Sequence, residues 1–331
     1  MRQYKKIKMF IHAEDGEANS FQQGNLVAFV RMGNDFTQNY YQLELPLRKS
    51  SGAVGSIDSE VWPAFNELDI PLKFLETIKS LGISQGTLGN ETPTFYNVID
   101  GELNQTPVGE FSPFLLTSNS SQTEGPFEQR IAIKGNPNFG DIRTLMIGVK
   151  NIGLSDLCAE VWFNELRIAD MDNEGGWAAI MSMDSNIADF INMNATAKRS
   201  TTGFGNLDQG PNARSLEDLK QYDLVTNMNL GQLLPKKWGL QIPFNYAQSE
   251  TLITPEYDQQ YKDLKLQTRM DAAESSEFRE RILSQSEDYT KRQSINFIGV
   301  RKQRNSNTKA RVYDLENLSL NYSYNEMKHR D

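Results

Sequence analysis

Between Trp177 and Ala197 apolar and polar residues alternate, and no other feature of the chain restricts its fold so strongly. Odd positions carry Trp177, Ala179, Met181, Met183, Ile187, Ile191, Met193 and Ala195. Even positions carry Ser182, Asp184, Asn186, Asn192, Asn194 and Thr196. A period of two sends successive side chains to opposite faces of an extended strand. The run therefore predicts one strand of about 20 residues, where globular sheets use ~5–6. The pattern returns three times. Tyr222, Leu224, Met228 and Leu230 alternate with Asp223, Asn227 and Asn229 before a tight turn at Leu234–Lys237. Trp238, Leu240, Ile242, Phe244 and Tyr246 face away from Gly239, Gln241 and Asn245, with Gln248 placed on the polar side. Leu318, Leu320, Tyr322 and Tyr324 alternate with Asn317, Ser319, Asn321 and Ser323.

Strands that cross a bilayer as part of a barrel read this way: about 10 residues, apolar toward lipid, polar toward the lumen, aromatics at the margins. Trp238 and Tyr246 are eight residues apart. At ~3.3 Å per residue and ~45° tilt they span roughly 19 Å, close to the ~25 Å apolar band of such barrels. The expectation is an all-β chain in which 177–331 forms part of a large transmembrane β-barrel. Its strands lie near 177–197, 222–232, 238–252, 291–300 and 315–326, with a loop helix near 270–289. The membrane-facing set is Trp177, Met181, Met183, Leu224, Met228, Leu230, Trp238, Leu240, Ile242, Phe244, Tyr246, Leu318, Leu320, Tyr322 and Tyr324. The lumen-facing set is Asn192, Asn194, Asn227, Gln241, Asn245 and Asn321. Closed barrels begin at about eight strands, so five imply an internal fragment of a longer protein.

The first half is patterned differently. Short strands at Ile7–Ile11, Leu26–Met32, Tyr40–Leu47, Arg130–Lys134, Arg143–Lys150 and Ala159–Ile168 predict an antiparallel, jelly-roll-like sandwich over 1–170. Within it Asp69–Leu81 reads as a helix, capped by Asp69, with Pro71 in its first turn and Gly82 as its stop. Residues 82–129, rich in Gly, Asn, Thr, Pro and Ser, read as a long loop or insertion with room for short strands. The acidic, glycine-ended stretch 171–176 reads as the link between the domains.

Composition narrows the function. Forty-three acidic against 34 basic residues give a net charge of −9, the wrong sign for a nucleic-acid partner. The basic run from Arg301 to Arg311 reads as a solvated turn. His12 and His329 are the only histidines and Cys158 the only cysteine, which leaves little for a zinc site, a triad or a disulfide. Cys158, in the apolar run 157–162, is expected to be buried. The acidic loops 14–17 and 170–174 lack EF-hand spacing. No phosphate loop, CxxC, HExxH or GxSxG occurs. The reading is a non-enzyme without cofactor or metal. No stretch of 18 apolar residues predicts a transmembrane helix.

Five strings carry a resemblance: RQYKKIKMFIHAE at 2–14, GNPNFGDIRTLMIGVKN at 135–151, AEVWFNELRIADMDNEGGWAA at 159–179, LLPKKWGLQIPFNYAQSETLITPEYD at 233–258 and YDLENLSLNYSYNEMKHRD at 313–331. Together they resemble the SprA (Sov) family of Bacteroidetes outer-membrane proteins. The resemblance implies a piece of the single-chain translocon of type IX secretion and gliding motility, which passes folded proteins with C-terminal sorting domains. It also implies a PorV-like shuttle barrel and a periplasmic plug protein as partners. Two competing readings are a cell-surface module built on a carbohydrate-binding-type sandwich and a fragment of another outer-membrane barrel, such as a nutrient transporter.

Overall fold

The computed structural model describes residues 4–16, 24–52, 55–110, 112, 114, 128–210, 213–304, 311 and 313–331. About half of the chain is strand, and the paired strands run antiparallel, so the fold is all-β. It divides into two units. One comprises Met1–Asn173 with Gln260–Arg279, and the other Glu174–Gln259 with Glu280–Asp331.

The first unit is a two-sheet sandwich. β1 (Tyr4–Asp15), β4 (Glu67–Pro71) and β9 (Ala159–Met171) form one sheet in the order β4-β1-β9. The other holds β2 (Leu26–Gly33), β3 (Tyr40–Pro46), β5 (Thr94–Ile99), β6 (Glu102–Val108), β7 (Glu128–Lys134) and β8 (Thr144–Asn151) in the order β6-β5-β7-β3-β2-β8. Alternation supplies the core. Ile7, Met9, Ile11 and Ala13 of β1 meet Ala28, Val30 and Met32 of β2, Leu43 and Leu45 of β3, and Ile131 and Ile133 of β7 in one buried cluster. A short helix, α1 (Asp58–Val61), precedes β4, and α2 (Leu72–Ser84) follows it without a break. Leu72, Leu75, Ile78 and Leu81 of α2 enter the same cluster at helical spacing.

Several expectations need correction. Asp69 belongs to β4 and is not a helix cap; Pro71 is the N-cap. Gly82 is buried inside α2, where an added Cβ would lie 2.5 Å from Leu88 Cδ2. The residue in the left-handed region past the helix end is Gly86, at φ 69°, the conformation glycine adopts at least cost. The stretch expected as a loop at 82–129 contributes β5 and β6 to the larger sheet, while 111, 113 and 115–127 lie outside the described residues. Cys158 is exposed, not buried. Lys309, in the basic run, and Glu17, in the first acidic loop, also lie outside the described residues.

The chain that leaves the second unit at Gln260 completes the first. Lys79 of α2, 1% exposed, donates to both carboxylate oxygens of Asp263 at 2.9 and 2.7 Å and to the carbonyl of Pro137 at 2.8 Å. The Phe139 N–H donates to Asp263 Oδ2 at 3.1 Å. Burial pushes the Lys79 ammonium below its ordinary value, and the Asp263 carboxylate pulls the other way. This fully bonded pair anchors α3 (Leu266–Asp271), whose Leu266 is buried, into the sandwich unit. In place of one loop helix there are two, α3 and α4 (Ser276–Ser286).

The second unit is one sheet built from β10 (Ala178–Ile187), β11 (Ile191–Ser200), β12 (Glu217–Asn229), β13 (Leu240–Gln241), β14 (Pro243–Pro255), β15 (Asp288–Lys302) and β16 (Leu320–Arg330). Its main path runs β10-β11-β12-β14-β15-β16, and β13 pairs β15 beyond the start of β14. Among the described residues β10 and β16 each have a single neighbour, so both edges are open. The single strand expected at 177–197 is a hairpin. Ala188 and Asp189 turn it with φ of 49° and 55°, and the Phe190 N–H donates to Ile187 O at 2.9 Å. The strand expected at 238–252 is also interrupted. Trp238 lies in a 3-10 turn, Leu240 and Gln241 form β13, and Ile242 falls between β13 and β14. Leu230 occupies another 3-10 turn, and Leu318 precedes β16.

Candidate functional site

Residues directly opposite one another in an antiparallel pair share a face, so the register of the second unit sorts its side chains. One row across six strands reads Ile187, Ile191, Met228, Phe244, Phe297 and Tyr322. Two residues further along each strand the same face carries Ser185, Met193, Thr226, Tyr246, Ile295 and Tyr324. The next row is Met183, Ala195, Leu224, Gln248, Gln293 and Glu326, followed by Met181, Ala197, Tyr222, Glu250, Lys291 and Lys328. Apolar residues thus occupy a broad region that ends in charge. They are not covered: Met181 is 70% exposed and Tyr322 55%.

Where the apolar region ends, its hydroxyls and amides connect. Glu250 accepts from the hydroxyls of Tyr222 and Tyr289, the latter at 2.9 Å. Gln248 Nε2 donates to the Tyr222 hydroxyl at 2.8 Å, and the Tyr246 hydroxyl donates to Gln248 Oε1 at 2.6 Å. Arg199 sits 5.1 Å from the Trp177 ring. Gln248, expected on the polar side, is on the face of Tyr246, because the two are an even number of residues apart in a regular strand.

The opposite face is rich in amides. Its corresponding row is Asn186, Asn192, Asn227, Asn245, Asn296 and Ser323. The side chains hydrogen-bond in sequence across the strands. Asn296 Nδ2 donates to Asn245 Oδ1 at 3.0 Å, Asn245 Nδ2 donates to Asn227 Oδ1 at 2.8 Å, and the Ser323 hydroxyl donates to Asn296 Oδ1. The five asparagines of this row line an open depression of about 570 Å³ together with Asp189, Phe190 and Ile298. Asn194 donates to Asp184 on the same face. Large apolar residues on this face, among them Ile180, Val225 and Met327, do not form a continuous band.

The sequence-derived positions divide accordingly. Met181, Met183, Leu224, Met228, Phe244, Tyr246, Leu320, Tyr322 and Tyr324 lie together on the apolar face. Asn192, Asn194, Asn227, Asn245 and Asn321 lie on the other, where Asn321 Oδ1 accepts from the Gly299 N–H at 2.6 Å. At Gly299, with φ of 75°, a bulge shifts the β15–β16 register before Val300 pairs with Leu320. Beyond it Leu240 pairs with Lys302 and Gln241 with Arg301. Leu240 therefore keeps the side of Val300 and Leu320, and Gln241 takes the other, accepting from Arg301 Nε at 2.7 Å. Trp177, Leu230, Trp238, Ile242 and Leu318 fall outside strands. Sequence reasoning missed Ile295, Phe297 and Asn296 of β15, although their alternation was there to read.

Among the described residues no group of three or more His, Cys, Asp or Glu is placed to hold a metal ion, and no helix is long and apolar enough to cross a membrane. The arrangement defines a class: an all-β chain that joins a packed sandwich to an open antiparallel sheet with one exposed apolar face and one amide-rich face. The chain belongs to the SprA_N family, described as motility related/secretion protein, whose model matches residues 1–270. The match takes in both sheets of the sandwich and the sheet of the second unit through β14, ending within α3, and β15 and β16 lie beyond it. A comparison with curated proteins finds no match.

Proposed function

We propose that the sheet of the second unit is part of the wall of a large outer-membrane β-barrel that conducts folded secreted proteins in type IX secretion and gliding motility. The observation that carries this reading is the sorting of side chains by face. An exposed apolar surface with hydrogen-bonded tyrosines at its margin suits lipid, because interfacial aromatics place a ring in the apolar layer and a hydroxyl in the polar one. An uncharged, self-bonded amide row suits a wet lumen past which protein must slide without sticking. Open edges at β10 and β16 support closure by further strands, since unpaired backbone groups are too costly in hydrocarbon. Membership of a motility and secretion family agrees with this role. Partners would be a shuttle barrel of the PorV kind, a periplasmic plug protein and the secreted cargo, and the location the cell surface. Transport of this kind needs no catalytic group, cofactor or metal, and none is assigned.

Adjacent residues on opposite faces provide the test. Phe244→Arg puts a charge on the apolar face, at a cost of about 2–4 kcal/mol near the midplane of a bilayer. Asn245→Arg puts the same charge on the amide face, where water remains available. Assembly into the outer membrane and export of a reporter bearing a C-terminal sorting domain should fail for Phe244→Arg and persist for Asn245→Arg. Equal assembly of both variants would contradict the membrane assignment.

A further inference from the structure

The apolar region of the second unit does not run along the rows of paired residues. Take the row of Ile187, Ile191, Met228, Phe244, Phe297 and Tyr322 as a reference. On β10 this face continues from it for eight residues, to Ala179, with Trp177 just before the strand, without meeting a charge. On β11 and β12 the first charges, Arg199 and Lys220, come after eight residues. On β14 and β15 the first charges, Glu250 and Lys291, come after six, and on β16 Glu326 comes after four. The other margin moves the same way. β10 and β11 turn immediately past the reference row, at Ala188–Phe190, whereas β16 reaches two residues past it to Leu320, opposite Val300, and Leu240 of β13, opposite Lys302, extends the face further along β15. Both margins thus shift in one sense, by about one residue for each strand crossed.

We propose that the lipid-contact surface is an oblique band across these rows, running from Met183 on β10 through Phe244 to Leu320 on β16, so that the strands cross the bilayer inclined. This rests on the lipid-facing reading above. With ~3.3 Å per residue along a strand and ~4.8 Å between strands, such a drift corresponds to an incline of about 35–40°. That falls at the tilt of about 35–45° that closure and stagger impose on membrane barrels. A flat or untilted sheet would keep its apolar band parallel to the rows.

The incline accounts for the charges. Counted along the strands from the reference row, Arg199 and Lys220 stand at eight residues, Glu250 and Lys291 at six, and Glu326 at four. At ~40° these offsets cancel against the strand positions, and all five reach one depth, roughly 15 Å from the band's midline. That is the headgroup level, where the Tyr222, Tyr289 and Glu250 cluster also lies. In an untilted sheet Glu326, only four residues from the row that holds Phe244, would be drawn toward hydrocarbon.

Met183 and Glu326 share a row but should differ in depth by about 15 Å. Met183 and Leu320 share no row but should be equally deep. Single cysteines at Met183, Leu320 and Glu326, in the full protein carrying Cys158→Ser, can be labelled with an environment-sensitive fluorophore. The probe is a phosphatidylcholine brominated at mid-chain, in vesicles holding the assembled protein. Labels at Met183 and Leu320 should be quenched alike, and the label at Glu326 several-fold less. Equal quenching at Met183 and Glu326, with Leu320 different, would overturn the oblique band while leaving lipid contact intact. Absence of quenching at all three in vesicle-bound protein would overturn the lipid reading itself, and the band with it. Phe297→Cys, at mid-depth on β15, gives a second reading if Met183→Cys fails to assemble.

Discussion

Single residues decide whether the sandwich unit closes. Lys79 and Asp263 are both buried and bonded to each other and to backbone groups. Removing one partner of such a pair leaves an uncompensated charge and costs about 3–5 kcal/mol, while replacing both with apolar residues is far milder. Lys79→Met should therefore lower the unfolding midpoint of the sandwich unit sharply, and Lys79→Met with Asp263→Leu should recover much of the loss. A double variant no better than the single one would show that the pair is not the anchor. Asp35 offers a pH test. Its Oδ1 accepts from the N–H groups of Thr37, Gln38 and Asn39, and these bonds hold its carboxyl well below the usual range. Because the folded value is depressed, the stabilisation is complete above the unfolded value of about 4 and is lost as the pH falls toward the folded one. Asp35→Ala should lower stability at pH 7, and its difference from the parent should shrink as the pH drops below about 4. A gap that widens on acidification would refute the assignment.

Whole elements show what sequence alone can and cannot reveal. The faces of the second unit were legible because every strand of its main path runs for ten residues or more with a period of two. The turn at Ala188–Phe190 was hidden by that same regularity. Ile187 pairs with Ile191, so paired residues keep odd or even parity through the hairpin, and alternation runs across the turn unbroken. Nor is there a glycine or asparagine in the turn to mark it; Ala188 and Asp189 hold positive φ in their place. A left-handed backbone costs an L-residue such as alanine about 1–2 kcal/mol, so Ala188→Gly should raise the unfolding free energy by about 1 kcal/mol, read as a higher unfolding midpoint. A loss of stability would mean the turn is not formed as described. In the sandwich, β5 could not be located within 82–129 because Phe95, Tyr96, Asn97 and Val98 are buried on both sides, which removes alternation as a signal. The helix start at Asp69 was misplaced because β4 runs straight into α2, and Asp69 serves the strand, where Lys6 and Lys8 donate to it.

At the scale of the molecule, the change from short strands to sustained alternation marked the passage from one unit to the other near residue 173. What periodicity could not show was that Gln260–Arg279 returns to the first unit. That return depends on Lys79 and Asp263, 184 residues apart, and local pattern carries no such information. The family match places the chain among motility and secretion proteins, and the sorted faces of the sheet supply the physical account of how it could serve there. The most direct test is the accessibility of successive positions along β14 in the assembled protein. Single cysteines from Phe244 to Ser249, in a Cys158→Ser background, would be exposed to a water-soluble maleimide that does not enter lipid. Asn245, Ala247 and Ser249 should react and Phe244 and Tyr246 should be protected, with Gln248, nearer the margin of the band, intermediate. Reaction in the opposite phase, or protection of both sets, would place the apolar face against water or a protein core and contradict the account.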